Sequence, residues 1–292
     1  MRKFFTIAKA TAFEIVDDPL SLLILISSSA LAILGPALHY HQFGEPSRMA
    51  RDAGFSALFI CGILFVGFGS IRSLRRELES GTASVALSRD VGRGVFFLAK
   101  YFGSLLAYLH YASSLFLLTI IIIKGAEIGG SIALAKGDIA RLYGPSFVIG
   151  TACVILPPFF AATLNKWANL RFASTSNVIM LGMLFTGAFF KFDLSLVLRV
   201  LPVALVAMLP AALVSAALLS FAVKFRINVS LSLGLLVFVL LIPFIGSYYL
   251  PETLAKGGSL SWKYVGFSFA AIAPLIAAHL FLGAALFARR EI

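Results

Sequence analysis

The segment LFLLTIIII, residues 115–123, has one polar residue in nine and presents apolar side chains on all sides of a helix. A second such segment, LSLGLLVFVLLIP, covers residues 231–243. A strand of a membrane barrel would instead alternate apolar and polar residues over about ten positions. Helices and closed barrels are the only structures that cross a bilayer, because its core offers no water to unpaired backbone groups. These segments therefore predict an all-α polytopic membrane protein.

The composition of the whole chain agrees with that fold class. Hydrophobic residues make up 60% of the 292 residues and charged residues only 13%, whereas soluble domains carry roughly 25% charged residues. A helix needs about 20 apolar residues to cross the hydrocarbon core. We expect one transmembrane domain over residues 1–292, with spans near residues 20–38, 54–71, 95–123, 145–164, 172–190, 196–223, 228–250 and 264–288. Six spans is the alternative, if a re-entrant hairpin surrounds Lys191, Asp193 and Arg199.

The N-terminus is predicted to form an amphipathic helix. Phe4, Ala8 and Phe13 recur at helical spacing before the first long apolar run begins near Leu20. An amphipathic helix of this kind lies in the membrane interface. We expect residues 1–19 to form an interfacial entry helix that leads into the first span.

The basic residues predict an orientation. If the N-terminus is cytoplasmic and there are eight spans, the inner segments hold fifteen of the 24 Lys and Arg residues. An excess of positive charge marks cytoplasmic loops, so both termini are expected inside. The formal net charge of +11 is then explained by orientation and by contacts with anionic lipid. It does not predict a nucleic-acid partner.

The most distinctive segment is the predicted cytoplasmic loop over residues 72–94. In IRSLRRELESGTASVALSRDVGRGVFFLAK, residues 71–100, a helical pattern reaches Gly81, which can end a helix. Thr82 can cap a new short helix, and residues 85–87 give it an apolar side. Asp90 and Gly92 break this helix before the third span begins. The pattern predicts a short helix that lies across the cytoplasmic mouth of the bundle.

The same segment resembles the loop of type-2 ABC exporter membrane subunits. That family shows E-x-E-x-G-T, a Leu-rich short helix, Pro-[Ile/Val]-Ser-Arg, and a Lys seven residues later. This chain has Asp90 at the position of the Pro and Gly92 at the position of the Ser. The entry helix, the exit of the fourth span and the basic C-terminus are also similar to that family. The matching loop residues are Glu77, Glu79, Gly81, Thr82, Leu87, Val91, Arg93 and Lys100.

The resemblance implies a transporter subunit in a bacterial cytoplasmic membrane. The chain would form half of a translocation pathway, as a homodimer or a heterodimer, and residues 77–93 would couple it to a separate ABC ATPase. ATP and Mg²⁺ would bind to that partner, and this chain would carry no cofactor and would not be an enzyme. The expected coupling residues are Glu77, Glu79, Gly81, Thr82, Leu87, Arg93 and Lys100.

Other functions stay open at this point. An ion-coupled carrier needs ionisable groups in its spans, and the candidates are His110 and His279. A membrane assembly protein needs no motif at all. A membrane enzyme is disfavoured, because the sequence has neither an H-E-x-x-H nor a G-x-S-x-G motif. The sequence does not identify a substrate.

Overall fold

The computed structural model describes residues 2–35, 46–81, 91–136, 145–190, 193–225 and 260–289. These residues form eight α-helices. In chain order they are α1 (Arg2–Val16), α2 (Pro19–Leu34), α3 (Pro46–Glu79), α4 (Arg93–Lys136), α5 (Pro145–Ala168), α6 (Phe172–Phe190), α7 (Leu194–Lys224) and α8 (Trp262–Arg289).

The helices confirm the predicted fold class. Among the described residues, six helices are long and apolar enough to cross a membrane, or up to seven if a bent helix pair counts as one span. The six are Ser47–Glu79, Arg93–Ala126, Val148–Ala168, Phe172–Phe189, Leu194–Lys224 and Trp262–Arg289. The chain is therefore an all-α polytopic membrane protein. The span expected at residues 228–250 lies outside the described residues.

The bent pair consists of α1 and α2, which meet at 63°. The bend follows from the sequence Asp18-Pro19: the Asp18 side chain accepts a hydrogen bond from the Leu20 amide at 3.2 Å and caps α2. Pro19 occupies the first turn of α2, where its missing N–H costs nothing. At 16 residues, α2 measures about 24 Å, and residues 36–38 of the expected span lie outside the described residues. The helical state of residues 2–16 is confirmed, and their position at the membrane surface stays a prediction.

The chain divides into two compact units. The first contains Met1–Ile15, Gly62–Leu109 and Leu205–Ile292, and the second contains Val16–Cys61 and His110–Ala204. In the first unit, small residues let the helices approach closely. A Cβ atom on Gly103 of α4 would lie 2.5 Å from the Ala8 carbonyl oxygen of α1, and Ser70 Oγ of α3 lies 2.9 Å from Ser215 Oγ of α7.

The second unit contains α2, α5 and α6 together with parts of α3, α4 and α7. A short turn joins α5 to α6, and Asn169 in this turn has a φ of 53°, a conformation that Asn tolerates better than most residues. Asp193 immediately precedes α7, and its carboxylate lies 2.5 Å from Lys124 Nζ of α4. This ion pair connects the end of the apolar part of α4 to the start of α7.

Candidate functional site

The two helices that flank the predicted coupling loop end where the sequence indicates. The last helical residue of α3 is Glu79, and Gly81 follows with a φ of 72°. This left-handed conformation is typical of the glycine that ends a helix, so the predicted role of Gly81 as a helix terminator is confirmed. The α4 helix begins at Arg93. The predicted short helix, with Thr82 and Leu87, lies outside the described residues.

A buried lysine joins three helices next to this loop. Lys100 of α4 is only 1% exposed, and its Nζ lies 2.7 Å from Glu77 Oε1 of α3. The same atom lies 3.6 Å from Glu14 Oε2 of α1 and donates to Ser73 Oγ of α3 at 3.0 Å. The Ser73 hydroxyl in turn donates to Glu14 Oε2 at 2.7 Å. We call Glu14, Ser73, Glu77 and Lys100 the Lys100 cluster.

Helical spacing explains why these four side chains meet. Ser73 and Glu77 are four residues apart and therefore lie on the same face of α3. Glu14 stands beside Thr11 and Ile15, which are buried residues of α1. Lys100 follows the buried pair of Phe96 and Phe97 by about one turn of α4. The α1 and α4 helices thus each place one of these polar residues next to buried positions, and α3 contributes two residues from a single face.

The formal charges of the Lys100 cluster sum to zero when Arg76 is included. Arg76 Nη1 lies 3.9 Å from Glu14 Oε1, so two carboxylates face one buried ammonium and one exposed guanidinium. Burying a charge is costly unless it is paired and hydrogen-bonded. Lys100 meets both conditions through its two carboxylates and the Ser73 hydroxyl. The arrangement joins α1, α3 and α4 through side chains that are paired and hydrogen-bonded to one another.

Two arginines connect the helices around the loop to the ends of other helices. Arg75 of α3 donates from Nη2 to the Phe225 carbonyl just after α7. Arg93 of α4 donates from Nη1 to the Ala288 carbonyl, 2.9 Å away, in the last turn of α8. Carbonyls at the C-terminus of a helix lack partners within the helix and carry the negative end of its dipole. Each arginine therefore satisfies a carbonyl at a helix end.

The structure thus brings together some of the sequence-predicted residues and separates others. Glu77 and Lys100 are in contact, whereas Arg93 contacts α8. The exposed side chain of Glu79 pairs with Arg75 at 3.7 Å. Sequence analysis did not select Glu14 or Ser73 as site residues. A carboxylate on the packed side of an amphipathic helix was the signal that could have identified Glu14.

The two intramembrane histidines stand apart from this cluster. The Nε2 atom of His110 and the Nδ1 atom of His279 are buried, and neither has a hydrogen-bond partner among the described residues. The His279 ring packs edge-on against Phe221 at 5.9 Å between centroids. Within the described segments, no three His, Cys, Asp or Glu side chains are grouped as metal ligands would be.

Comparisons with protein-family models, with curated proteins and with solved structures found no match to this chain. The likeness to type-2 ABC exporters therefore rests on the loop residues quoted above. Any assignment of function has to be argued from those residues and from the contacts of the Lys100 cluster.

Proposed function

We propose that this chain is the membrane subunit of an ATP-driven ABC transporter, an exporter, and forms half of its translocation pathway. A separate cytoplasmic ATPase subunit binds the loop at residues 77–93. Conformational changes of that subunit move the membrane helices by displacing this loop. The functional unit is a dimer of membrane subunits in a bacterial cytoplasmic membrane, with both termini on the cytoplasmic side.

The contact between Lys100 and Glu77 is the observation that carries the proposal. It lies where a force applied to the loop would enter the membrane helices, because Glu77 is near the end of α3 and Lys100 is near the start of α4. A loop on flexible supports would absorb that force. A buried, paired lysine makes both supports rigid relative to each other and to α1.

The arginine contacts extend the same mechanical argument. Arg75 and Arg93 flank the loop and bind the ends of α7 and α8. A displacement of the loop would therefore act on four helices: on α3 and α4 directly, and on α7 and α8 through these arginines. Such contacts are expected of a loop that transmits motion to the helices. A charged loop that only connects two helices would not require them.

The motor in this proposal is another polypeptide. The sequence has no G-x-x-x-x-G-K-[Ser/Thr] phosphate loop, which ABC ATPases use to bind the phosphates of ATP. ATP and Mg²⁺ accordingly bind to the partner subunit. The membrane subunit contributes the pathway and the loop that the partner contacts.

The first test is affinity purification of the chain from its native membrane in mild detergent, followed by mass spectrometry. We expect a stoichiometric ATP-binding subunit to accompany the wild-type chain and to be lost from a variant with Thr82→Asp and Leu87→Asp. The matched control is Lys263→Asp, an exposed change in the first turn of α8, which should retain the subunit. Recovery of the chain alone, or only with copies of itself, would overturn the proposal and direct attention to His110 and His279 as groups of a secondary carrier.

A second test separates coupling from assembly. In the purified complex, Lys100→Met should lower transport-coupled ATP hydrolysis while the ATPase subunit remains bound, and Lys100→Arg should restore part of it because the positive charge returns. Equal hydrolysis in the wild type and in Lys100→Met would show that the Lys100 cluster plays no part in coupling.

A further inference from the structure

Residues 166–172, which comprise the end of α5, the turn after it and the first residue of α6, have an unusual surface for the end of two spans. We call these residues the turn. Trp167 is 89% exposed, and Leu170 and Phe172 beside it are also exposed. Lys166 and Arg171 add two exposed basic side chains to the same turn. Aromatic and basic side chains together are typical of the layer where a bilayer meets water.

Hydrogen bonds give this surface a fixed shape. The Asn165 side chain donates to the Leu170 carbonyl at 2.5 Å, and the Asn169 amide donates to the Asn165 carbonyl at 3.0 Å. With Asn169 in the left-handed conformation, the chain reverses within a few residues. These hydrogen bonds therefore fix the backbone that carries the exposed side chains.

The turn also holds the segment that precedes α2. Arg171 Nη1 lies 2.9 Å from Asp17 Oδ2, and the Asn177 side chain donates to the Val16 carbonyl at 2.8 Å. These two contacts fix residues 16–18 against the start of α6. Whatever the turn binds therefore also positions the break between α1 and α2.

The lengths of the adjoining helices place the turn at the edge of the hydrocarbon core. The apolar span Val148–Ala168 has 21 residues, or about 31 Å, and Phe172–Phe189 has 18, or about 27 Å. The core is roughly 30 Å thick, so neither helix has length left to carry the turn into water. By contrast, α3 continues through the charged residues 72–79, about 12 Å beyond its apolar part.

We propose that residues 166–172 form a lipid-binding surface that seats Trp167 in the phosphate headgroup layer of the bilayer and anchors residues 16–18 there. The indole spans the boundary between apolar chains and polar headgroups, and the Lys166 ammonium meets lipid phosphate. A soluble protein partner fits less well, because a turn of this length stays within a headgroup layer of about 5–7 Å. This inference does not depend on the proposed transport function.

The tryptophan content of the chain permits a direct test. The sequence has two Trp residues, Trp167 and Trp262, so Trp262→Phe leaves Trp167 as the sole indole. The full-length variant is placed in phosphatidylcholine vesicles whose acyl chains carry bromine either near the carbonyl or near the terminal methyl group. We expect a larger loss of Trp167 fluorescence with bromine near the carbonyl, and little loss with aqueous iodide.

Two results would overturn the proposal. Strong quenching by iodide without quenching by brominated lipid would place Trp167 in water, where a soluble partner could reach it. Insensitivity to both quenchers would place it inside a protein contact, such as one with a second copy of the chain. If Trp262→Phe fails to fold, the difference between the wild-type chain and Trp167→Phe gives the same quantity.

Discussion

The ammonium group of Lys100 lies 2.7 Å from the Glu77 carboxylate and is almost completely removed from solvent. Glu77 lies in the last turn of the helix before the predicted coupling loop, and Lys100 lies two turns into the helix after it. A 2.7 Å contact between charged groups is a strong hydrogen bond as well as an ion pair. The two helices that support the loop are thus joined directly, and α1 is joined to both through Glu14.

Replacing Lys100 by Met should destabilise the protein, because Glu14 and Glu77 would lose their shared buried counter-charge. Removing one partner of a buried pair costs about 3–5 kcal/mol, and the partial exposure of both carboxylates favours the lower end. Thermal unfolding in detergent measures the loss. Lys263→Met, at an exposed position, is the matched control and should leave the unfolding temperature unchanged. Equal unfolding of the two variants would contradict a structural role for Lys100.

Glu14→Gln and Glu77→Gln should not be additive, since both carboxylates bind the same ammonium. Groups in one network show interaction energies of about 0.5–3 kcal/mol in double-mutant cycles. The unfolding free energies of the wild type, the two single variants and the double variant give this quantity. A coupling indistinguishable from zero would mean that Glu14, at 3.6 Å, does not act on Lys100.

The sequence predicted those parts of the fold that depend on local signals. The lengths of the apolar runs predicted the positions of α3 to α8, and Gly81 predicted the end of α3. These features depend on a few neighbouring residues each. The end of the span expected at residues 20–38 lies outside the described residues, which reach Gly35 in this part of the chain.

The candidate site was predicted less completely, for a physical reason. Lys100 and Glu77 were identified, but only by the family resemblance of the loop. Glu14 lies 59 residues before Ser73 in the chain, and their contact depends on how α1 packs against α3. A single sequence shows that Glu14 is on the packed face of α1 but not which helix covers that face.

The Asp193–Lys124 pair should make the stability of the protein depend on pH in the acid range. The Lys124 ammonium, then the Ser195 hydroxyl and the Leu196 amide, hold the pKa of Asp193 well below its usual range. A group whose pKa is lowered by folding stabilises the protein above its unfolded pKa, about 3.9 for Asp, and this contribution is lost as the pH falls through the folded pKa. The stability difference between the wild type and Asp193→Asn should therefore be constant from neutral pH down to about 4 and shrink below it. A difference that already shrinks between pH 7 and pH 5, in urea unfolding of the two proteins, would contradict this assignment.

Arg93→Ala should loosen the last turn of α8, because the Ala288 carbonyl loses its donor. Interactions of a cation with a helix C-terminus contribute about 0.3–1 kcal/mol at exposed positions. Hydrogen exchange of the amides in the last turn of α8 should become several-fold faster, in line with that energy. Arg48→Ala, near the start of α3, is the control and should leave exchange in α8 unchanged. Unchanged exchange in Arg93→Ala would mean that the contact contributes nothing in solution.

Gly81→Ala and Gly94→Ala form a matched pair on the two sides of the loop. Among the described residues, no other atom lies within 4 Å of a Cβ added to either glycine, but only Gly81 of the two has a positive φ, of 72°. A Cβ in the left-handed region costs about 1–2 kcal/mol, so Gly81→Ala should lower the unfolding free energy by that amount. Gly94 lies in the first turn of α4, where alanine favours the helix, so Gly94→Ala should be neutral or stabilise by up to about 1 kcal/mol.

If the coupling proposal is correct, only Gly81→Ala also reduces ATP hydrolysis in the complex, because it changes the direction in which the chain leaves α3. Equal effects of the two substitutions on stability and hydrolysis would refute a special role for the backbone at Gly81.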